Sequence, residues 1–282
     1  MLPALVTFPG CSRTPINEKE SQEEPEQPAG PRTGTVRVNV QGSARSTTIV
    51  RTDLFVYSLS DQKGLEIHRC FDDSSDVHTL DLKEGEKEII AIVNSPYKFN
   101  EQALGKLESL EQVQFMFEDE SPTAPAMSGN GSLTVSPVSQ TEIGISVTPL
   151  LCRITLAEIS NNLANYKRLE NPRIFLRNLN PKAEILRENG FRPSENVEEG
   201  QRSPLPCDVG FYTQHPATTL YCYPNETPEN MLGSPRTELV LECEIRDTTR
   251  QFTVELPPLG RSCTRSVAIT VDEAHEYSYS VF

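Results

Sequence analysis

Short runs of strict two-residue alternation constrain this chain more than any other feature. In TVRVNVQ, Val36, Val38 and Val40 alternate with Arg37, Asn39 and Gln41, so a strand there turns its valines to one face and its polar groups to the other. The period recurs as Leu54 and Val56 against Phe55 and Tyr57 in TDLFVYSL, and as Ile143, Ile145 and Val147 in TEIGISVTP. It returns as Cys152, Ile154 and Leu156 in LCRITLAEI, and as Leu239, Leu241, Cys243 and Ile245 in TELVLECEI. SLTVSP, PRIFLRNL, TTLYCYPN, QFTVELPP, RSVAITV and YSYSVF read as further strands. EIIAIVNSP differs: it is a continuous apolar run closed by a turn cluster, the pattern of a strand buried on both faces.

The 15 glycines and 22 prolines fall largely between these runs, the punctuation of an all-β chain. Helical stretches are too few to supply the crossovers of a parallel sheet, so the pattern selects β-sandwiches. One amphipathic helix is predicted in NEQALGKLESLEQVQ, where Ala103, Leu104, Leu107, Leu110 and Val113 follow three- and four-residue spacings, and it should cover one end or face of a sheet. The expected fold class is mainly β, with two tandem β-sandwich domains and one or two short helices. The break is placed near Thr148–Pro149, giving an N-terminal sandwich over 34–149 and a C-terminal one over 150–282 that ends in a terminal strand.

Charge and motif content exclude several functions. Acidic residues outnumber basic ones by 40 to 26, a formal charge of −14, which repels nucleic-acid phosphates and acidic lipid. His68, His78, His215 and His275 are scattered, with no HExxH and no paired-histidine spacing, so no metal site is expected. GxGxxG, GxxxxGK[ST] and GxSxG are absent, leaving nucleotide-dependent and α/β-hydrolase chemistry without their signatures. The reading is a protein that is not an enzyme and needs no cofactor.

The first eleven residues, MLPALVTFPGC, are a short apolar stretch ending in Gly10-Cys11. They read as a lipoprotein signal remnant with Cys11 as the lipidated residue. Because the apolar run is short and no basic region precedes it, the signal is expected to begin upstream. Residues 12–33 are rich in Glu, Gln and Pro and nearly free of apolar groups, a disordered acidic tether. Six cysteines remain: Cys70, Cys152, Cys207, Cys222, Cys243 and Cys263. An even count permits up to three disulfides. Cys152, Cys222 and Cys243 occupy core-facing strand positions where cysteine acts as a small hydrophobe, and the reading is of mostly free, buried thiols.

The order of segments resembles the fimbrillin family, the lipoprotein subunits of type V pili. Carrying the resemblance are Gly10-Cys11, TDLFVYSLSD, AIVNSP (Ala91–Pro96), PAMSGNG (Pro125–Gly131) and ISVTPLLCRITLAEI (Ile145–Ile159), followed by LYCYPNET, TELVLECEI and PPLGRSCTRSVAITV. The resemblance implies two transthyretin-like sandwiches, export as a lipoprotein, and an outer-membrane and surface-fimbrium location. It implies a structural role with other fimbrial subunits as partners, a lipid link to the outer membrane, and adhesion to a host or bacterial surface ligand. It further implies polymerisation by donor-strand exchange, in which loss of an N-terminal strand opens a groove for a neighbour's C-terminal strand. On that scheme TVRVNVQ is the strand removed, and Arg45 in GSARSTT is the processing site for a trypsin-like protease. Tyr277, Tyr279 and Val281 then form the apolar face of the donor strand. The alternative is a surface lipoprotein that binds glycan without polymerising, using Tyr212, Tyr221 or Tyr223; the absence of Trp counts against it.

Overall fold

In a computed structural model of the chain, the described residues are 32–43, 48–60, 64–137, 140–193, 197–229 and 232–282. The first half runs β1 (Thr33–Gly42), β2 (Thr52–Ser58), β3 (Gly64–Phe71), β4 (Val77–Lys83), β5 (Gly85–Val93), helix α1 (Leu107–Glu111), β6 (Gln114–Met116), β7 (Met127–Val135) and β8 (Thr141–Pro149). Seven of its strands form one sheet in the order β3-β2-β5-β7-β8-β1-β4. β7 meets β8 only through Met127↔Pro149 and Ser128↔Thr148, and the sheet folds over at that seam. Val36, Val38, Val40, Leu82 and Ile145 from one arm then pack with Leu54, Val56, Ile89, Ala91 and Val93 from the other. Glu66 on β3 accepts the Lys83 N–H at the end of β4 at 2.6 Å. The same carboxylate pairs with the buried Lys87 Nζ at 2.6 Å, tying the two outer strands of the sheet together.

β2 and β5 are buried on both faces. Their alternate residues Phe55, Tyr57, Ile90 and Ile92 enter a second apolar cluster with Leu104, Leu107, Leu110, Phe115 and Leu151. The helical segment therefore covers the outer face of the β2–β5 pair, as its spacing implies. The α-helix itself has five residues, Leu107–Glu111, far fewer than the periodicity spans. The backbone just before it is claimed elsewhere: Leu65 N–H donates to Gly105 O at 2.9 Å, and Lys106 forms a bridge with Gly64. A glycine at that point adds to the cost of helix.

The second half runs β9 (Cys152–Asn161), β10 (Glu170–Arg177), β11 (Lys182–Glu184), β12 (Ser203–Pro204), β13 (Thr213–Gln214), β14 (Thr218–Cys222), β15 (Glu238–Ile245), β16 (Thr248–Glu255), β17 (Thr264–Val271) and β18 (Tyr277–Val281). One sheet is ordered β12-β10-β15-β16; the other is β13-β9-β17-β18, with β14 also on β9. Between them lies a core of Ile154, Leu156, Ile174, Leu241, Phe252 and Val267, among others. The fold is mainly β and sandwich-like, with β9–β17 and β1–β8 as parallel pairs.

The two halves interlock. Ala183, Ile185, Phe191 and Tyr223 from the second half complete the apolar cluster on the outer face of β2 and β5, and β11 pairs with β6. At the centre of the seam, the Arg261 guanidinium donates to Ile185 O (2.8 Å), Arg187 O (3.1 Å), Thr148 O (2.7 Å) and Ser128 Oγ (2.8 Å). Burial pushes this guanidinium down to about 10, against the opposing pull of Glu188. Nearby, Glu120 accepts from Tyr223 Oη at 3.0 Å and from Ala126 N–H at 3.1 Å.

Candidate functional site

β1 is an internal strand of its sheet. It pairs antiparallel with β4 from Thr33↔Lys83 to Asn39↔Val77, and parallel with β8 from Val36↔Thr141 to Gly42↔Val147. Val36, Val38 and Val40 are fully buried. Removing this strand would leave three valine-sized sockets between two ladders of unpaired backbone groups, a site shaped for an added strand. Immediately after β1, Ser43 N–H donates to Val147 O at 2.9 Å. The chain is held again where Asn94 Nδ2 donates to Thr48 O at 2.8 Å and Asn94 Oδ1 accepts Val50 N–H at 2.9 Å. Asn94 takes the left-handed conformation, φ 56°, in the turn that ends the AIVNSP run. Arg45 falls between these anchors but lies outside the described residues, as do Cys11 and nearly all of the 12–33 tether.

Among the described residues, β18 lies at the edge of its sheet and pairs only with β17, from Val267↔Val281 to Val271↔Tyr277. Tyr277 and Val281 pack partly buried against the second-half core. The Tyr277 hydroxyl donates to Thr253 O at 2.7 Å, fastening β18 to β16. Tyr279 stacks on Tyr277 with ring centroids 6.3 Å apart, so the three residues named for the donor strand share one face, with Tyr279 left exposed. Of the tyrosines considered for glycan, Tyr223 is fully buried and Tyr212 is exposed. Sequence reasoning missed an exposed aromatic pair, Tyr166 and Phe211, in edge-to-face contact at 5.6 Å. Tyr166 takes positive φ (55°), a tertiary choice with no signal in the local sequence.

One cluster has the composition of a nucleophile–base–acid set: Cys70, His68 and Asp53. His68 Nε2 faces Asp53 Oδ1 at 2.9 Å and Nδ1 faces Glu101 Oε1 at 3.1 Å, so both ring nitrogens are engaged. Burial pushes the Cys70 thiol up to about 11, which keeps it protonated near neutral pH. The arrangement acts as a buried polar brace, completed by the Arg51 Nε to Asp53 Oδ2 bond at 2.8 Å. Burial opposes charge on His68, but bonds to Asp53 and Glu101 outweigh it and hold the ring above its ordinary 6.5. Asp53 lies below its ordinary 3.8 because bonds from His68 and Arg51 overcome its burial. A base held high stabilises fully below 6.5 and loses that contribution as pH rises through the folded value; an acid held low contributes above 3.8 and fails as pH falls. The brace is therefore at full strength between those limits. Wild-type Tm should fall as pH rises from 6 to 8, and fall more steeply than that of His68→Phe in parallel melts; equal slopes would refute the assignment.

No family model and no curated relative matches the chain. Solved structures do. A candidate cell adhesion protein of Parabacteroides distasonis superposes with a TM-score of 0.68 at 11% identity, covering 88% of this chain and 95% of that one. The fimbrilin FimA of Porphyromonas gingivalis gives 0.65 at 12%, covering 88% and 95%. The tip fimbrial protein Mfa3 of the same organism gives 0.55 at 12%, covering 88% and 99%. At these identities the likeness is one of fold, and the chain has a fimbrillin-like fold.

Proposed function

We propose that this chain is a structural subunit of a cell-surface fimbria, built into the filament by donor-strand exchange and contributing to adhesion. The observation that carries the reading is the position of β1, an apolar-faced strand held on both edges and joined to the body through a segment containing Arg45. Cleavage after Arg45 would free β1 while Asn94 keeps the new chain start in place. β18 is the donor: among the described residues it is paired on one edge only, and it carries Tyr277, Tyr279 and Val281 on one face. In this reading the two strand groups are tandem sandwich units over 34–149 and 150–282. Lipid on Cys11 and the acidic tether link the precursor to the outer membrane, and other fimbrial subunits are the partners. Deleting Tyr277–Phe282 should leave a folded monomer that cannot serve as donor, and Arg45→Ala should block its use as acceptor. Normal incorporation of both variants into filaments would sink strand exchange.

The second reading, a surface lipoprotein that binds glycan without polymerising, is favoured by one observation. Tyr166 and Phe211 are 81% and 56% exposed, and Tyr212 beside them is 58% exposed. Such faces stack on sugar rings. On this reading purified protein binds selectively on a glycan array, and Tyr166→Ala removes that binding.

A further inference from the structure

Three thiols converge at the start of β9. Cys152 opens the strand, and its partner across the antiparallel ladder to β14 is Cys222. On the other edge, Arg153 N–H donates to Cys263 O at 2.8 Å and Thr264 pairs with Arg153 as β17 begins, which sets Cys263 beside Cys152. The Cys152 thiol, flanked by Cys222 on one edge and Cys263 on the other, donates to Gly260 O at 3.1 Å. The three differ in access. Cys152 and Cys222 are fully buried, whereas Cys263 is half-buried and lines a cavity of about 240 Å³ with Pro122, Leu151, Arg153 and Tyr221. Cys70 and Cys207 are exposed and sit in other surroundings, beside Asp72 and Gln214.

We infer that Cys152 and Cys263 form a disulfide when the protein meets a low-molecular-weight disulfide oxidant, with Cys263 as the entry sulfur and Cys222 remaining a thiol. The steps balance as thiol–disulfide exchange. The neighbouring Cys152 thiol and burial hold the Cys263 thiol above its ordinary range, so only a small thiolate fraction forms, and it grows with alkaline pH. That thiolate attacks one sulfur of the oxidant, giving a mixed disulfide and one released thiol. Cys152 then loses its proton and attacks the Cys263 sulfur, forming the protein disulfide and expelling the second thiol. Two protein thiols are oxidised and one small disulfide is reduced to two thiols. The bond would join two strands that pair in parallel although distant in sequence, a long loop whose closure restricts the unfolded chain strongly. It would also brace the turn closed by Cys263 N–H to Gly260 O at 3.2 Å, from which Arg261 reaches the seam. This chemistry needs only the folded chain and an oxidant, so it stands or falls apart from the fimbrial reading.

The test equilibrates purified full-length protein with oxidised glutathione at mildly alkaline pH, alkylates remaining thiols under denaturing conditions, and maps the digest by mass spectrometry. The expected result is a linked peptide pair containing Cys152 and Cys263, with Cys222 alkylated. Oxidation should raise Tm by about 5 °C or more. The same rise should appear in Cys222→Ser and vanish in Cys263→Ser, a substitution at a half-buried position. Full alkylation of Cys152 and Cys263 would overturn the proposal, and a bond between Cys152 and Cys222 would overturn the pairing.

Discussion

An Arg261→Met chain is expected to unfold in two steps where the wild type unfolds in one, with the seam weakened by about 4 kcal/mol. The guanidinium reaches three backbone carbonyls and the Ser128 hydroxyl, drawn from β7, β8 and the segment after β11. Methionine matches its length but offers no donor, so Arg187 O, Thr148 O and Ile185 O all lose this donor, and Ile185 O alone keeps the Ser128 hydroxyl at 2.7 Å. Each such loss costs about 1–3 kcal/mol. Arg261→Lys should recover only part of this, because a single ammonium cannot present the planar fork that meets acceptors on two sides. The chain has no tryptophan, so urea melts followed by tyrosine fluorescence would be checked against circular dichroism. A single transition at an unchanged midpoint would show that the apolar cluster alone couples the halves.

A chain shortened to begin at residue 48 loses β1 and is expected to lose cooperative unfolding of its first half. Three fully buried valines stabilise by about 5–6 kcal/mol together, and both flanking ladders lose their partner as well. The exposed groove should bind a hydrophobic dye. Adding the peptide TGTVRVNVQG should restore the melt and displace the dye. The peptide YSYSVF should do so poorly, since two tyrosine rings overfill sockets shaped by Val36 and Val38. If both peptides rescue equally, the sockets adapt and a second copy of this chain can fill them. If only the first rescues, the sockets discriminate against aromatic side chains, and on the strand-exchange reading their occupant is not the β18 of a second copy.

Much of the fold was legible in local pattern. The valines of β1 are buried as their alternation requires, and the continuous run from Glu88 divides as a doubly buried strand should. Ile89 and Ala91 enter one apolar cluster and Ile90 and Ile92 the other. TDLFVYS follows the same rule, with Leu54 and Val56 on one side and Phe55 and Tyr57 on the other. Features that depend on distant segments were not legible. β6 and β11 are three residues each, too short for any period to register. Arg261 stands in a Gly-Arg-Ser turn like any solvated arginine, and only the docking of three remote segments buries it. The convergence of Cys152 with Cys263 follows from a parallel pairing that no spacing along the chain encodes. The apolar spacing around Leu107 identified the right face but overstated the helix, because the periodicity of side chains says nothing about which backbone groups a neighbouring strand has already taken.

The placement of β1 also has a mechanical consequence. A strand gripped along both edges and pulled lengthwise carries the load in shear, so its backbone bonds to β4 and β8 resist together. A strand peeled from one side gives them up in turn. Any segment seated between β4 and β8 would therefore yield abruptly at a high force under tension along its axis, and readily under a sideways pull.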